Sequence, residues 1–177
     1  MHPVEVEQTL ETMQICVDTR EQPTLRASAR YKQFGVPYIR KKLNTGDYSA
    51  IFTLPNGELF SLEDKILIER KQNLTELAMC YCQERERFAR EFERAKKAES
   101  KLYLIVEDAN WANIYAGKYR SKMNPKSFVA SILSWLSRYN CELIFCTSTV
   151  TGWLIHDILW YEAREILLNL GEEDGRI

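Results

Sequence analysis

The sequence predicts an α/β domain in which helices cover both faces of a mixed β-sheet. Short apolar strands alternate with amphipathic helical segments along the chain. The turn sequence Pro55-Asn56-Gly57 predicts a β-hairpin, and the run LYLIV at 102–106 has the composition of a central strand buried on both faces. A chain of 177 residues that is 45% hydrophobic has the size of one domain. We therefore expect a single domain over 1–177, whose core at about 14–170 lies between a short acidic N-terminal lead and an acidic C-terminal tail.

Each predicted element rests on its pattern of apolar residues and on the turn residues that bound it. The predicted strands cover residues 14–18, 38–43, 47–54, 58–62, 65–70, 102–106 and 143–146. Pro23 lies near the start of the first predicted helix, 23–34, where its fixed φ is favourable. Apolar residues at spacings of three, four and seven predict one long helix over 74–95, and two further helices are predicted over 124–139 and 149–170.

Composition argues against several classes of protein. The longest apolar runs are only a few residues, so we expect no transmembrane helix, and the acidic segment MHPVEVEQTLETM lacks the apolar core of a signal peptide. The five cysteines, at 16, 80, 82, 141 and 146, form no paired CxxC motifs, so we expect reduced thiols in a cytoplasmic protein. A net charge of −1 argues against binding nucleic acid through bulk charge but allows a local basic surface.

Two clusters of cations are candidates for such a surface. The first is the triplet Arg40-Lys41-Lys42. The second lies in a predicted loop where Tyr115 and Tyr119 are interleaved with cations, and it comprises Lys118, Arg120, Lys122 and Lys126. Either cluster is explained equally well as a solvated surface loop or as a set of contacts to DNA phosphates.

The charged triplet Glu69-Arg70-Lys71 directly follows the apolar part of a predicted strand. Because side chains alternate across a strand, Glu69 and Lys71 point to one face and Arg70 to the other. An isolated pair of this kind is usually a surface ion pair of little energetic value. A second acid nearby would favour a metal site instead, because a divalent cation needs more than one carboxylate.

Two other acids lie at predicted strand ends. Asp47 begins the strand that the hairpin returns antiparallel to 58–62, so we expect the strand that carries Glu69 to lie close to it. Asp18 ends the first strand. Such acids with Lys71 would suit metal-assisted phosphodiester hydrolysis. In that chemistry a bound Mg²⁺ or Mn²⁺ polarises a phosphoryl oxygen and acidifies water, and the lysine stabilises the developing negative charge or orients the water.

Three motifs resemble the nuclease domain of the XPF and Hef structure-specific DNA endonucleases. They are VDTRE at 17–21, GDY at 46–48 and ERK at 69–71, and their order is more specific than any one of them. An Arg-Phe pair at 87–88 continues the resemblance, which extends over about residues 14–168. The resemblance implies a restriction-endonuclease-like core, a central mixed sheet flanked by helices. It also implies an endonuclease that hydrolyses branched or otherwise structured DNA.

The resemblance assigns roles by position in the motifs. It implies that Asp47 and Glu69 bind Mg²⁺ or Mn²⁺, that Lys71 is catalytic, and that Arg70 contacts phosphate or supports the site. The residues of the first motif that correspond to family site residues are Asp18, Arg20 and Glu21.

Two departures from the family pattern leave a second hypothesis open. Thr75 stands where the family has an acid, and we expect no helix-hairpin-helix DNA-binding module after this domain. The alternative is therefore a catalytically inactive DNA-binding subunit, although such a subunit would normally have lost Asp47, Glu69 or Lys71. The neighbouring Glu76 has two interpretations. It either closes a helix cap begun by Asn73, which we favour, or replaces the missing acid as a metal ligand.

Large aromatic side chains in the last two predicted helices suggest a homodimer. They are Trp135, Trp153, Trp160 and Tyr161. Aromatic residues are enriched at the centres of protein interfaces, but the same pattern is equally compatible with rings that fill a core. The family resemblance favours the dimer, because XPF-type nuclease domains tend to pair.

Overall fold

A seven-stranded mixed sheet organises the chain. The computed structural model describes residues 1–173, with side chains up to residue 170. The strands are β1 (Gln14–Asp18), β2 (Tyr38–Lys41), β3 (Tyr48–Thr53), β4 (Leu59–Ser61), β5 (Ile66–Lys71), β6 (Lys101–Glu107) and β7 (Cys141–Cys146). The helices are α1 (Pro3–Leu10), α2 (Leu25–Gln33), α3 (Leu74–Cys82), α4 (Arg85–Lys97), α5 (Trp111–Tyr115), α6 (Pro125–Arg138) and α7 (Thr151–Glu173). The remainder of the predicted acidic tail, 174–177, lies outside the described residues.

The strand directions bring the strand ends that carry the motifs to one edge of the sheet. The strand order is β2-β1-β3-β5-β6-β7, and β4 pairs with β3. Strands β1 and β2 are parallel, as are β5, β6 and β7, whereas β3 runs antiparallel to both β1 and β5. The carboxyl ends of β1, β5 and β6 therefore meet the beginning of β3. In open α/β sheets this is the edge where ligands usually bind.

Helices cover the sheet on both faces, as the alternating pattern predicts. Ile66 and Ile68 of β5 pack in a core with α1, α2 and α7, whereas Leu67 packs in a second core with α3, α4, α5 and α6. The same alternation continues to the end of β5, which places Glu69 and Lys71 on one face and Arg70 on the other. None of the helices within residues 1–173 is long and apolar enough to cross a membrane.

The N-terminal segment is a helix that belongs to the core, so its interpretation as an acidic lead outside the core is wrong. His2 caps α1 in a capping box with Glu5. Val6 and Leu10 are buried in the core that also contains α7. The acidic residues face outward, and the helix has too few apolar positions to stand out from the sequence.

The long helix predicted over 74–95 is two helices. α3 ends at Cys82, where the N–H groups of Gln83 and Glu84 both donate to Met79 O, at 2.9 and 3.1 Å. α4 begins at Arg85. No proline or glycine marks this turn, and the seven-residue spacing between Tyr81 and Phe88 is the same as in a continuous helix. The short helix α5 was also not predicted, although Asn110 is a favourable N-cap for it.

We predict that Gly46 is needed for the close approach of its segment to β5. Its φ is +77°, and a Cβ there would come within 3.1 Å of Ile68 O. Gly46→Ala should lower the free energy of unfolding by about 2–3 kcal/mol. The strain of an alanine at positive φ adds to the cost of displacing the backbone away from Ile68 O. Gly35→Ala is the matched control, with φ +67° but no atom within 4 Å of the added Cβ. Urea denaturation measures both variants, and equal losses would contradict the importance of the close approach.

Candidate active site

A cleft of about 1010 Å³ opens at the edge of the sheet where these strand ends meet. Besides the strand ends, its lining comes from the segment after β1 and from α2, α3 and α4. Its lining comprises Arg20, Glu21, Gln22, Thr24, Leu25, Arg26, Arg30, Asp47, Glu69, Arg70, Lys71, Gln72, Glu76, Cys80, Glu84, Arg87, Phe88 and Glu91. Of the residues that the sequence assigned to the nuclease site, all except Asp18 line this cleft.

Asp47, Glu69 and Lys71 contribute side chains to the cleft from two paired strands. Glu69 Oε1 lies 2.6 Å from Lys71 Nζ, and the lysine ammonium lies 5.3 Å from the centroid of the Phe88 ring. Asp47 is fixed beside them because its N–H donates to Ile68 O at 2.7 Å and its Oδ2 accepts from Arg70 N at 2.8 Å. The tertiary structure therefore brings the GD and ERK motifs into one site.

The electrostatics of this group are those of two carboxylates that share one lysine. Burial and the nearby Glu69 carboxylate raise the pKa of Asp47 well above its ordinary value. Burial opposes the charge on Lys71, but Glu69 and Asp47 outweigh it, so the pKa of the Lys71 ammonium is raised. The lysine is therefore charged at neutral pH, and a second cation beside Asp47 would be electrostatically favourable.

Arg70 reaches the other face of the sheet and joins a network of arginines and carboxylates. Its Nη2 lies 3.1 Å from Glu21 Oε1 and its Nη1 lies 3.2 Å from Glu107 Oε2. Arg30 pairs with Glu21 as well, and Tyr48 Oη donates to the same carboxylate at 3.0 Å. Glu107 is fully buried. The Arg70 side chain is thus held by two carboxylates, which fixes the end of β5.

Asp18 supports the site from outside the cleft. Its Oδ1 accepts from Arg20 N at 2.8 Å and from Arg20 Nε at 2.6 Å, and its Oδ2 accepts from Leu43 N at 2.7 Å. Burial opposes its charge, but these hydrogen bonds outweigh the burial and lower the pKa of Asp18. Both carboxylate oxygens are engaged in positioning Arg20 and Leu43.

The start of α3 confirms Asn73 as the N-cap. Asn73 Oδ1 accepts from Glu76 N at 2.9 Å, and Glu76 Oε2 accepts from Gln72 N at 2.8 Å. In a capping box this carboxylate would accept from the N–H of Asn73 itself. Here it accepts from the N–H of the preceding residue, Gln72. Thr75, at the position of the family acid, accepts a hydrogen bond from Arg120 N on its Oγ1 at 3.0 Å. The loop that contains Arg120 is thereby attached beside the cleft.

The two predicted basic clusters lie outside the cleft lining. Arg40 donates to Thr19 O and Glu21 O, at 3.0 and 2.7 Å, and so supports the segment after β1. Lys41 pairs with Glu63 at 2.6 Å, whereas Lys42 is exposed. The four cations of the second cluster are all exposed to solvent: Lys118, Arg120, Lys122 and Lys126.

Sequence reasoning assigned no site role to several charged residues of this region, among them Arg26, Arg30, Arg87 and Glu107. The signal for Glu107 was present, because an acid directly follows the apolar run LYLIV at the end of a strand parallel to β5. Arg26 and Arg30 are spaced as neighbours on one face of a helix, but nothing local shows that this face meets the sheet edge. Arg87 was noted only as part of a family motif.

The carboxylates present fit a divalent cation. Within the described part of the chain, no group of three or more His, Cys, Asp or Glu side chains is arranged to hold a metal ion. An ion at Asp47 and Glu69 would have two protein carboxylates, with water or substrate phosphate as its other ligands. Mg²⁺ is commonly bound in this way. Burial, and then the nearby Glu69 carboxylate, raise the pKa of Asp47, and a bound cation would offset both effects.

Solved structures share this architecture. XPF from Aeropyrum pernix matches with a TM-score of 0.59 and 21% identity, covering 84% of this chain and 61% of that chain. The same protein in complex with DNA matches with a TM-score of 0.60 and 21% identity, covering 86% and 66%. The likeness confirms the predicted restriction-endonuclease-like α/β fold. The chain spans less than two thirds of the length of these XPF chains.

The family model for the ERCC4 domain matches residues 17–154. The chain belongs to the ERCC4 domain family, which confirms the resemblance to XPF-type nuclease domains. A comparison with curated proteins finds no match.

We predict that Asp18 acts by positioning its neighbours. Asp18→Asn should lower the free energy of unfolding at pH 7 by about 1.5 kcal/mol. An NH₂ group replaces one carboxylate oxygen and cannot accept the hydrogen bond that this oxygen received. The lowered pKa of Asp18 means that its contribution is present above its unfolded pKa, about 3.9, and is lost as the pH falls through the lower folded pKa. The difference between variant and wild type should therefore shrink below about pH 4.

The control for this substitution is Asp64→Asn. The Asp64 side chain is exposed and forms no hydrogen bond or ion pair with the described residues, so the change should leave stability nearly unaltered. Chemical denaturation between pH 3 and pH 7 measures both variants. A variant at Asp18 as stable as wild type at pH 7, or one whose only defect is a higher Mg²⁺ requirement for cleavage, would contradict a positioning role.

Proposed function

We propose that this chain is a Mg²⁺- or Mn²⁺-dependent DNA endonuclease that acts on branched or otherwise structured DNA. The observation that carries the proposal is the convergence of Asp47, Glu69 and Lys71 on the floor of one cleft in a member of the ERCC4 domain family. The complex of Aeropyrum pernix XPF with DNA supports DNA as the substrate. A DNA substrate also supports the predicted location inside the cell.

Each of the three residues has a role that follows from its chemistry. Asp47 and Glu69 would hold the cation, which when bound polarises a phosphoryl oxygen and acidifies a water molecule. Lys71 presents a permanent positive charge at the same place, where it stabilises the negative charge that develops on the phosphate. Glu69 keeps the ammonium in position through the 2.6 Å ion pair, and Phe88 shields it on one side.

The cations at the cleft would guide DNA to this group. Arg26 and Arg87 have side chains that are 52% and 73% exposed, and Arg20 is 55% exposed. The loop with Lys118 adjoins the cleft through the Thr75–Arg120 hydrogen bond. Arg40 and Lys41 lie outside the cleft lining and have partners of their own, so we assign them a smaller share of the DNA contact than the sequence suggested.

The alternative function is a DNA-binding subunit without catalytic activity. The intact group of Asp47, Glu69 and Lys71 favours the enzyme, because a subunit released from catalysis has no need to bury a lysine between two carboxylates. The position of Thr75 leaves the site with one acid fewer than the family pattern. We propose that the remaining two carboxylates are sufficient, since Mg²⁺ retains several water ligands.

We predict that Asp47→Asn, Glu69→Gln and Lys71→Ala each reduce cleavage by a hundredfold or more while the chain stays folded, the usual loss for one electrostatic group of a catalytic site. Cleavage of labelled flap, fork, junction and duplex DNA with Mg²⁺ or Mn²⁺ measures the effect, and circular dichroism monitors the fold. Lys65→Ala is the control, because Lys65 lies just before the start of β5, at the other end of the strand from the site. Near-normal cleavage by any of the three variants would contradict the assignment.

We also propose that the chain forms a homodimer through α7 and the edge strand β7. Trp153 and Tyr161 are 55% and 63% exposed on α7, and β7 is the last strand of the sheet, with no neighbour on its outer side among the described residues. Trp160 is partly buried and stacks on His156. Trp135 does not belong to this surface, because it is buried against Phe88 in a core, so its predicted place at the interface is wrong.

The dimer predicts a mass of twice the 20.8 kDa of one chain in light scattering at micromolar concentration. Replacing Trp153 and Tyr161 together by glutamate should produce monomers, since buried unpaired charges oppose association. Leu59→Glu, at a side chain that is 71% exposed on β4, should leave the mass unchanged. A monomeric wild-type chain would refute the dimer without bearing on the nuclease site.

A further inference from the structure

The segment from the end of α5 to the start of α6 presents one exposed aromatic ring among cations. Tyr115 is 65% exposed and has no hydrogen bond or ring contact with any residue in the described range. Lys118, Lys122 and Lys126 are exposed and form no ion pair within that range. Tyr119 differs, because its ring lies 4.9 Å from that of Phe128 and its hydroxyl donates to Met123 O at 2.9 Å. Tyr119 therefore supports the loop, and Tyr115 has no structural role that would explain an exposed ring.

Local hydrogen bonds hold the backbone at Tyr115 in place. Asn110 caps α5 by accepting from Asn113 N at 2.8 Å, and Lys118 N donates to Asn113 O at 2.9 Å. Gly117, at φ +66°, makes the turn that this closure requires. The adjacent Ile114 is fully buried. The ring is thus presented from a fixed backbone, which lowers the entropic cost of binding a ligand against it.

This surface borders the cleft at the start of α3. α5 follows β6, whose carboxyl end lies at the same edge of the sheet as Glu69 and Lys71. Arg120 N donates to Thr75 Oγ1 at 3.0 Å, and the neighbouring Glu76 lines the cleft. A DNA strand that leaves the cleft past the start of α3 therefore meets this loop.

We infer that Tyr115 stacks on an unpaired base of a single-stranded DNA arm, while Lys118, Lys122 and Lys126 neutralise phosphates of that arm. This inference rests on the proposed function and names the part of the substrate that the loop recognises. In duplex DNA the faces of the bases are covered by their neighbours, so only an unpaired base offers a face to an aromatic ring. An exposed ring flanked by cations is the arrangement with which proteins hold single strands without reading sequence.

Binding of two DNA probes tests the inference. One is a fork with single-stranded arms that carry 2-aminopurine, and the other is a blunt duplex of the same length; both are measured without divalent cations so that no cleavage occurs. Tyr115→Ala should weaken fork binding by about tenfold, the loss expected for one stacked base, and leave duplex binding unchanged. Tyr115→Phe keeps the ring and should bind like wild type. Leu59→Ala is the control for removing an exposed apolar side chain elsewhere.

The dependence of fork binding on salt separates stacking from charge. Tyr115→Ala should lower affinity at every salt concentration without changing the slope, whereas replacing the three lysines by alanine should flatten it. Quenching of 2-aminopurine on binding should be lost with Tyr115→Ala and kept with Tyr115→Phe. If Tyr115→Ala binds the fork as well as wild type, or weakens fork and duplex equally, the inference is overturned while DNA binding by the domain stands. If the wild-type chain binds neither probe, the proposed function fails as well.

Discussion

Asp47 is held against the end of β5 by two hydrogen bonds, and the rest of the candidate site depends on this pairing. Its N–H donates to Ile68 O at 2.7 Å, and its carboxylate accepts from Arg70 N at 2.8 Å. Gly46 allows this approach, because a Cβ at that position would come within 3.1 Å of Ile68 O. The hairpin between the two motifs could vary without disturbing the site, provided that these contacts are kept. The backbone itself therefore sets the position of one of the two carboxylates relative to Lys71.

The alternation of side chains along β5 divides the charges of the site between the two faces of the sheet. Glu69 and Lys71 face Asp47, where two carboxylates and one ammonium leave a surplus of negative charge that suits a metal ion. Arg70 faces away and is held by Glu21 and Glu107. A buried guanidinium with two carboxylate partners is costly to disrupt, because losing one partner leaves an uncompensated charge. The arginine thus stabilises the strand end from which the other two side chains extend.

The charge distribution explains how a chain with net charge −1 can bind a polyanion. Three acidic side chains of the cleft, Glu21, Glu84 and Glu91, pair with arginines, which offsets part of its negative charge. Exposed cations also lie at the cleft and on the neighbouring loop, which Thr75 attaches through its hydroxyl. The residue that departs from the family pattern therefore connects the candidate active site to the proposed DNA-binding loop. The local electrostatic potential, rather than the net charge, governs how such a protein approaches DNA.

The sequence alone determined the fold class, the order of most elements, the metal-ligand candidates Asp47 and Glu69 and the candidate catalytic Lys71, because strand alternation and short motifs are local properties. The tertiary structure decided the rest. Only packing shows that α1 joins the core, that Trp135 is buried, and that Asp18 binds Arg20 and Leu43 outside the cleft. The ion pair between Arg30 and Glu107 could not be predicted from the sequence either, because the two residues lie far apart in the chain. Periodicity fixes which side of an element a residue faces, but which other element meets that side depends on the sheet order and on contacts between distant segments.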